Sequence, residues 1–148
     1  MPNRYLPIML ELTQRPILIV GGGKVAWQKI KMLKKFTKKI TVLAPEILPE
    51  IQKAQVKVIQ DIFRPKYLAA AGLVYACTND KKINSQVRQA AKARGLLVNL
   101  VDTPQQCDFI TPAIFKRQEM VVAVSSGGRN LAKTIRWRNK IKKLLKND

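Results

Sequence analysis

The segment ILIVGGGKVAWQK, residues 17–29, constrains this chain most: a run of β-forming apolar residues breaks into three consecutive glycines and resumes as a helix-like pattern. Gly21-x-Gly23-x-x-Ala26 directly follows a predicted strand and opens a predicted helix, the context in which a dinucleotide-binding fingerprint works. Gly21 permits the tight turn and Gly23 lets the backbone approach a pyrophosphate. The small Ala26 allows close helix–strand packing while the helix N-terminus faces the anion. The competing reading is a glycine-rich turn that serves only a sharp connection.

The rest of the chain alternates in the same way. Strands are predicted at 17–20, 40–43, 56–59, 73–77 and 96–101, each short and mostly apolar, as strands covered on both faces are. A helix is predicted over 24–36, with Val25, Ala26, Ile30, Leu33 and Phe36 on one face. Another is predicted over 80–94, with Ile83, Val87, Ala90 and Ala91 on one face and Gly95 as the stop signal, and a short helix fits 65–71. The order implies right-handed crossovers and a Rossmann-like, doubly wound α/β fold with a mostly parallel sheet. Two further extended runs, 109–115 and 120–124, flank the polar Lys116-Arg117-Gln118-Glu119. Ser125-Ser126-Gly127-Gly128 then breaks the chain before a last helix over 131–145, rich in Lys and Arg and with Leu131, Ile135, Ile141, Leu144 and Leu145 as its apolar residues. This divides the chain into a nucleotide-binding part, 1–128, and a basic C-terminal helix, 129–148.

The second strand of a dinucleotide-binding unit should end in an acid for the ribose hydroxyls. Here "ITVLAPEIL" places Leu43-Ala44-Pro45 at that point and Glu46 slightly later. Turned inward, Glu46 disfavours a 2′-phosphate, and no Arg follows the strand to welcome one, so NAD is preferred to NADP. The other reading makes Glu46 a surface helix-start residue.

Composition narrows the chemistry further. With 148 residues, 47% of them apolar, the chain has material for a single packed core. Cys77 and Cys107 are the only cysteines and histidine is absent, so neither a disulfide framework nor a common zinc site fits, and no metal ligand is assigned. Cys107 is either a ligand or inert packing. The first ten residues, MPNRYLPIML, are too short an apolar run for a signal peptide, and no stretch approaches the ~20 apolar residues of a membrane span. The expected location is the cytoplasm, with no membrane partner. A charge of +19, from 28 Lys and Arg against 9 Asp and Glu, fits a nucleic acid, an acidic small molecule or a solvated Lys-rich surface alike.

Several segments in order resemble a known family, that of the siroheme synthase N-terminal domain or precorrin-2 dehydrogenase. They are LPIMLEL (6–12), ILIVGGGKVAWQK (17–29), TVLAPE (41–46), ACTNDKKINSQV (76–87), VNLVDTPQQCDFITPAI (98–114) and VVAVSSGG (121–128). The glycine loop is shared with many dehydrogenases, whereas the Val-Asp-x-Pro segment followed by Ser-Ser-Gly-Gly is far more particular. The resemblance implies NAD-dependent oxidation of the tetrapyrrole precorrin-2 to sirohydrochlorin and, in some members, ferrous iron insertion. It assigns cofactor contacts to Gly21, Gly22, Gly23, Lys24, Val25, Pro45, Glu46, Thr78 and Asn79, catalysis to Asp102, and a place near the tetrapyrrole entrance to Ser126. From its residues alone Asp102 is either a base at a strand's C-terminal end or the start of an Asx turn with Thr103-Pro104; the resemblance favours the base. A polyacidic tetrapyrrole also gives the positive charge a candidate cause.

The family usually continues into a dimerisation segment and a helical C-terminal region, where this chain has one basic helix, and Arg129-Asn130 departs from the family's small-residue and proline pattern. A homodimer and iron insertion are carried as expectations on that footing. Three readings follow in order of preference: a precorrin-2 dehydrogenase, an NAD-binding regulatory module without catalysis, and a nucleic-acid binder using the basic helix. The third is disfavoured because Trp137 is the helix's single aromatic residue, a thin stacking platform.

Overall fold

Four consecutive apolar residues, Ile17–Val20, form β1 and are buried on both faces in the computed structural model, which describes residues 3–145. β2 (Ile40–Leu43), β3 (Lys57–Ile59), β4 (Leu73–Ala76) and β5 (Leu97–Leu100) join it in a sheet of order β3-β2-β1-β4-β5. Every pairing is parallel, with Ile17 opposite both Ile40 and Leu73. Alternate side chains of β1 enter opposite layers, as the period of a strand requires. Ile17 and Ile19 pack with Ala26, Ile30 and Leu33 of α1 (Lys24–Leu33) and with Ile51 of α2 (Pro49–Gln52). Leu18 and Val20 pack with Leu68 and with Val87 and Ala91 of α3 (Lys81–Lys92). The fold is therefore doubly wound, and the strand order reverses between β1 and β4, where such sheets open a crevice at their C-terminal ends.

Local chemistry sets the helix limits. Asp80 caps α3, its carboxylate accepting from the N–H groups of Lys82 and Ile83, and the helix ends before Gly95. α1 stops at Leu33, three residues short of the predicted end, and Phe36 is left 36% exposed in the following turn. Val25, predicted on the buried face, is also exposed, at the start of the helix. The 65–71 segment contains one 3-10 turn, Pro65–Leu68. The single-turn α2 has too few residues to show a helical period and was not predicted.

The chain falls into two compact units, residues 9–109 and residues 3–8 with 110–145. The second unit holds an antiparallel hairpin of β6 (Ala113–Arg117) and β7 (Met120–Val124), followed by α4 (Leu131–Leu144). The predicted strand over 109–115 begins only at Ala113, and Lys116 and Arg117, read as turn residues, belong to the strand. That leaves a two-residue loop, Gln118-Glu119, whose Gln118 takes φ +51°. Asn130 caps α4 by accepting from Lys133 N–H at 2.9 Å. Thr134 is the helix's buried residue, while Leu131 and Leu144, expected on an apolar face, are 70% and 72% exposed. Among the described residues no helix is long and apolar enough to cross a membrane.

Candidate nucleotide and catalytic site

Three loops meet at the C-terminal ends of β1, β2 and β4. At the first, Gly21 N–H donates to Leu43 O at 2.9 Å and Cys77 N–H donates to Val20 O at 2.7 Å, drawing the neighbouring strand ends together. The three glycines answer different demands. Gly21 sits at φ +128°, and a Cβ there would lie 2.6 Å from Cys77 O. Gly22 is pressed against the loop after β2: its carbonyl accepts from Leu48 N–H at 3.0 Å, and a Cβ would come within 2.1 Å of Glu46 O. Gly23 caps α1 with extended backbone, and a Cβ there would meet nothing within 4 Å. Its bare backbone therefore faces open space, as a close ligand approach at a helix N-terminus needs.

That space is a cleft of about 680 Å³, in the range of small-molecule sites. All nine residues assigned above to the cofactor line it: Gly21, Gly22, Gly23, Lys24 and Val25 from the first loop, Pro45 and Glu46 from the second, Thr78 and Asn79 from the third. Ala44, Ile47, Leu48, Pro49 and Cys77 complete the wall, and the sequence had given no reason to choose them. Glu46 stands exposed before α2, whose cap is Leu48 rather than Glu46. The cradle thus fits a dinucleotide: a glycine with no Cβ to obstruct it, a helix start with no acid in its first turn, and an acidic side chain at the end of β2.

Asp102 follows β5 in the same unit and is partly buried. Its carboxylate accepts from Asn84 Nδ2 at 3.0 Å and from Thr103 Oγ1 at 3.2 Å. Asn84, on α3 and wholly buried, also holds the third cleft loop: Thr78 N–H and Oγ1–H both donate to its Oδ1, and its Nδ2 donates to Thr78 O. Asn84 was missed in the sequence because its partners lie six and eighteen residues away.

Cys107 is packing for the Asp102 loop. Leu100 N–H donates to its sulfur at 3.1 Å and its thiol can return a bond to Leu100 O. Asn99 Nδ2 donates to Phe109 O, and Val98 N–H donates to the Asp108 carboxylate, so the same segment covers the free edge of β5. Burial raises the Cys107 thiol above its ordinary range and pushes Cys77 up to about 12, against the opposing pull of Lys29. Lys29 is itself lowered by burial and lies 5.6 Å from the centre of the Tyr75 ring. No group of three His, Cys, Asp or Glu among the described residues could hold a metal ion.

Ser126 lies in the second unit. Its hydroxyl accepts from Asn130 N–H at 2.8 Å and pairs with Thr134 Oγ1 at 3.0 Å, tying the Ser-Ser-Gly-Gly turn to the first turn of α4.

A sequence profile of the family described as "Putative NAD(P)-binding" matches residues 8–113, which contain the five-stranded sheet and its cleft. The chain belongs to this NAD(P)-binding family. Its relatives within reach include the siroheme synthase of Methylobacillus flagellatus, 41% identical over 139 residues that cover 90% of this chain and 30% of that one. The siroheme synthase of Photobacterium profundum is 44% identical over 138 residues, covering 89% of this chain and 29% of that one. The chain thus spans about 30% of the length of these relatives. Among solved structures, SirC, precorrin-2 dehydrogenase, matches with a TM-score of 0.82 and 29% identity over 95% of this chain and 70% of that one. These similarities agree with the family resemblance carried by the sequence segments, and an NAD(P)-binding fold with NAD as its cofactor is what they support.

Proposed function

We propose that the chain is a cytoplasmic, NAD-dependent precorrin-2 dehydrogenase that forms sirohydrochlorin. The observation that carries this reading is the arrangement of Asp102: a carboxylate just beyond a parallel strand, bonded through Asn84 to the loop that walls the nucleotide cleft. The similarity to siroheme synthases and to a precorrin-2 dehydrogenase supports the choice of substrate.

Bound in the cleft, NAD would supply the acceptor for a hydride. The residues of this chain would do the rest. Gly23 and the start of α1 bind the pyrophosphate, Glu46 takes the ribose hydroxyls, and Thr78 and Asn79 form the wall beyond β4. Desaturating a macrocycle by hydride loss also requires a proton to leave, and the Asp102 carboxylate is the group that accepts it. Ser126 is assigned to the tetrapyrrole. Ferrous iron insertion into sirohydrochlorin is proposed as a second activity on the family resemblance alone. A homodimer is supported by the exposed apolar side chains of α4.

The deciding experiment pairs turnover with cofactor affinity in Asp102→Asn. Asn keeps the size of the side chain and can still form an Asx-type hydrogen bond, but it cannot take the proton. Anaerobic NADH formation from precorrin-2 should fall by about 10²-fold or more while calorimetric NAD affinity is unchanged. Parental activity in the variant would remove Asp102 from the chemistry; loss of NAD affinity in step with the rate would move it to the cofactor site.

A further inference from the structure

Asn84 is the one fully buried side-chain amide in the nucleotide-binding unit, and every hydrogen-bonding capacity it has is used. Its two N–H groups donate to Thr78 O and to Asp102 Oδ2, both at 3.0 Å, and its oxygen accepts from Thr78 N–H at 3.1 Å and from Thr78 Oγ1 at 2.7 Å. The partners fix the amide's orientation, since a backbone N–H must meet oxygen and a carboxylate must meet a donor. An aspartate here would keep the acceptor and lose both donors; an apolar residue would leave the Thr78 amide and the Asp102 carboxylate with unmet bonds in a buried place. Helix α3 sets this geometry: Asp80 caps it and itself donates through its N–H to Thr78 Oγ1 at 3.2 Å, so the turn carrying Thr78 and the turn carrying Asn84 are one hydrogen-bonded unit.

We propose that Asn84 is the positioning residue of the site, one buried amide that ties the Asp102 carboxylate to the Thr78 wall of the nucleotide cleft and so sets where the carboxylate stands relative to a bound cofactor. This rests on the dehydrogenase reading for its consequence in turnover, but the linkage itself belongs to the free protein. Thr103 Oγ1 holds the other carboxylate oxygen. Each oxygen has two lone-pair directions, so the carboxylate is fixed in plane and still able to accept a proton.

The test is Asn84→Asp. The variant keeps both bonds from Thr78 to the side-chain oxygen and loses the one to Thr78 O, so NAD affinity should weaken by no more than about threefold; a carboxyl now faces Asp102 across the former hydrogen bond, and two such groups in contact share one proton. Turnover of precorrin-2 should fall on the acid side and recover as pH rises, with the ascending limb of its pH profile moved up by about one pH unit or more. A residue that merely filled space would change rate without moving the profile. The companion measurement needs no turnover: in the free parent, the Asn84 side-chain amide signals should shift as Asp102 titrates, followed by NMR of the amide and of the Asp102 carboxyl carbon, and in Asn84→Asp the two carboxyls should titrate in two coupled steps. If the variant does not fold, the parental amide response decides alone. An amide indifferent to Asp102, or an unmoved pH profile in a folded and active variant, overturns the proposal. A parent that makes no NADH overturns the dehydrogenase reading instead, and the NMR titration then judges the Asn84 link by itself.

Discussion

Three adjacent glycines look interchangeable in sequence, yet each faces a different neighbour. Gly22 is the most confined, because a Cβ would have to pass within 2.1 Å of a backbone carbonyl that cannot rotate away. Gly22→Ala should therefore destabilise the fold by about 1–3 kcal/mol, as overpacking does, and chemical denaturation will show it. At Gly23 a side chain meets nothing within 4 Å, so Gly23→Val should lose only about 1 kcal/mol of capping while abolishing NAD binding by calorimetry. Unchanged NAD affinity in a folded Gly23→Val protein would remove the cofactor from this loop. Fingerprint spacing predicts a ligand at Gly23 from sequence alone, whereas the demand on Gly22 comes from a loop more than twenty residues away. Cys77 offers a second residue-level test. Burial raises its thiol to about 12, so the unfolded chain releases the proton first as pH climbs; the stability tied to the protonated thiol is whole below about pH 9 and drains away toward pH 12. Lys29, lowered by the same burial, binds a proton less readily when folded and works in the opposite direction over part of that range. The comparison with Cys77→Ala isolates the thiol: the stability lost by that substitution should be about 2 kcal/mol smaller at pH 10.5 than at pH 8. A constant difference between parent and variant would show that the thiol does not titrate late.

At the scale of elements, what could be read depended on whether neighbours in sequence are also neighbours in space. The central strands β1, β2 and β4 announced themselves as short apolar runs because both of their faces are covered, and α3 carried its own cap in Asp80. α2 fell below one helical period, and the first half of 109–115 was apolar without being strand: Phe109 instead packs edge-on against Tyr75, with ring centres 5.3 Å apart. In α4 the 3.6-residue pattern correctly signalled a helix, but period alone does not say what covers the apolar side, and Trp137 is 54% exposed. The hairpin before it carries a residue-type conflict. A two-residue hairpin loop favours positive φ at its first position, and Gln118 supplies it at +51° despite its Cβ. Gln118→Gly should stabilise the chain by about 1 kcal/mol, read as an increase in denaturation midpoint. A lower midpoint would mean that the glutamine side chain contributes more than its backbone strain costs.

For the whole molecule, the largest number is the charge. At +19 the chain attracts any polyanion, and a tetrapyrrole bearing many carboxylates is one whose capture such a field would speed. The same charge cannot choose among anions, which is why function had to be argued from the glycine loop, the Asp102 segment and their order along the chain. The glycine loop and Asp102 both lie within the residues that match the NAD(P)-binding family, while the Asn84 bridge from the Thr78 loop to Asp102 became visible only in three dimensions. Purified chain incubated anaerobically with precorrin-2 and NAD tests the account most directly. It should yield one NADH for each sirohydrochlorin formed, with the KM for precorrin-2 rising as salt screens the positive surface. Calorimetric binding of NAD with no NADH formed from precorrin-2 at any salt concentration would contradict it.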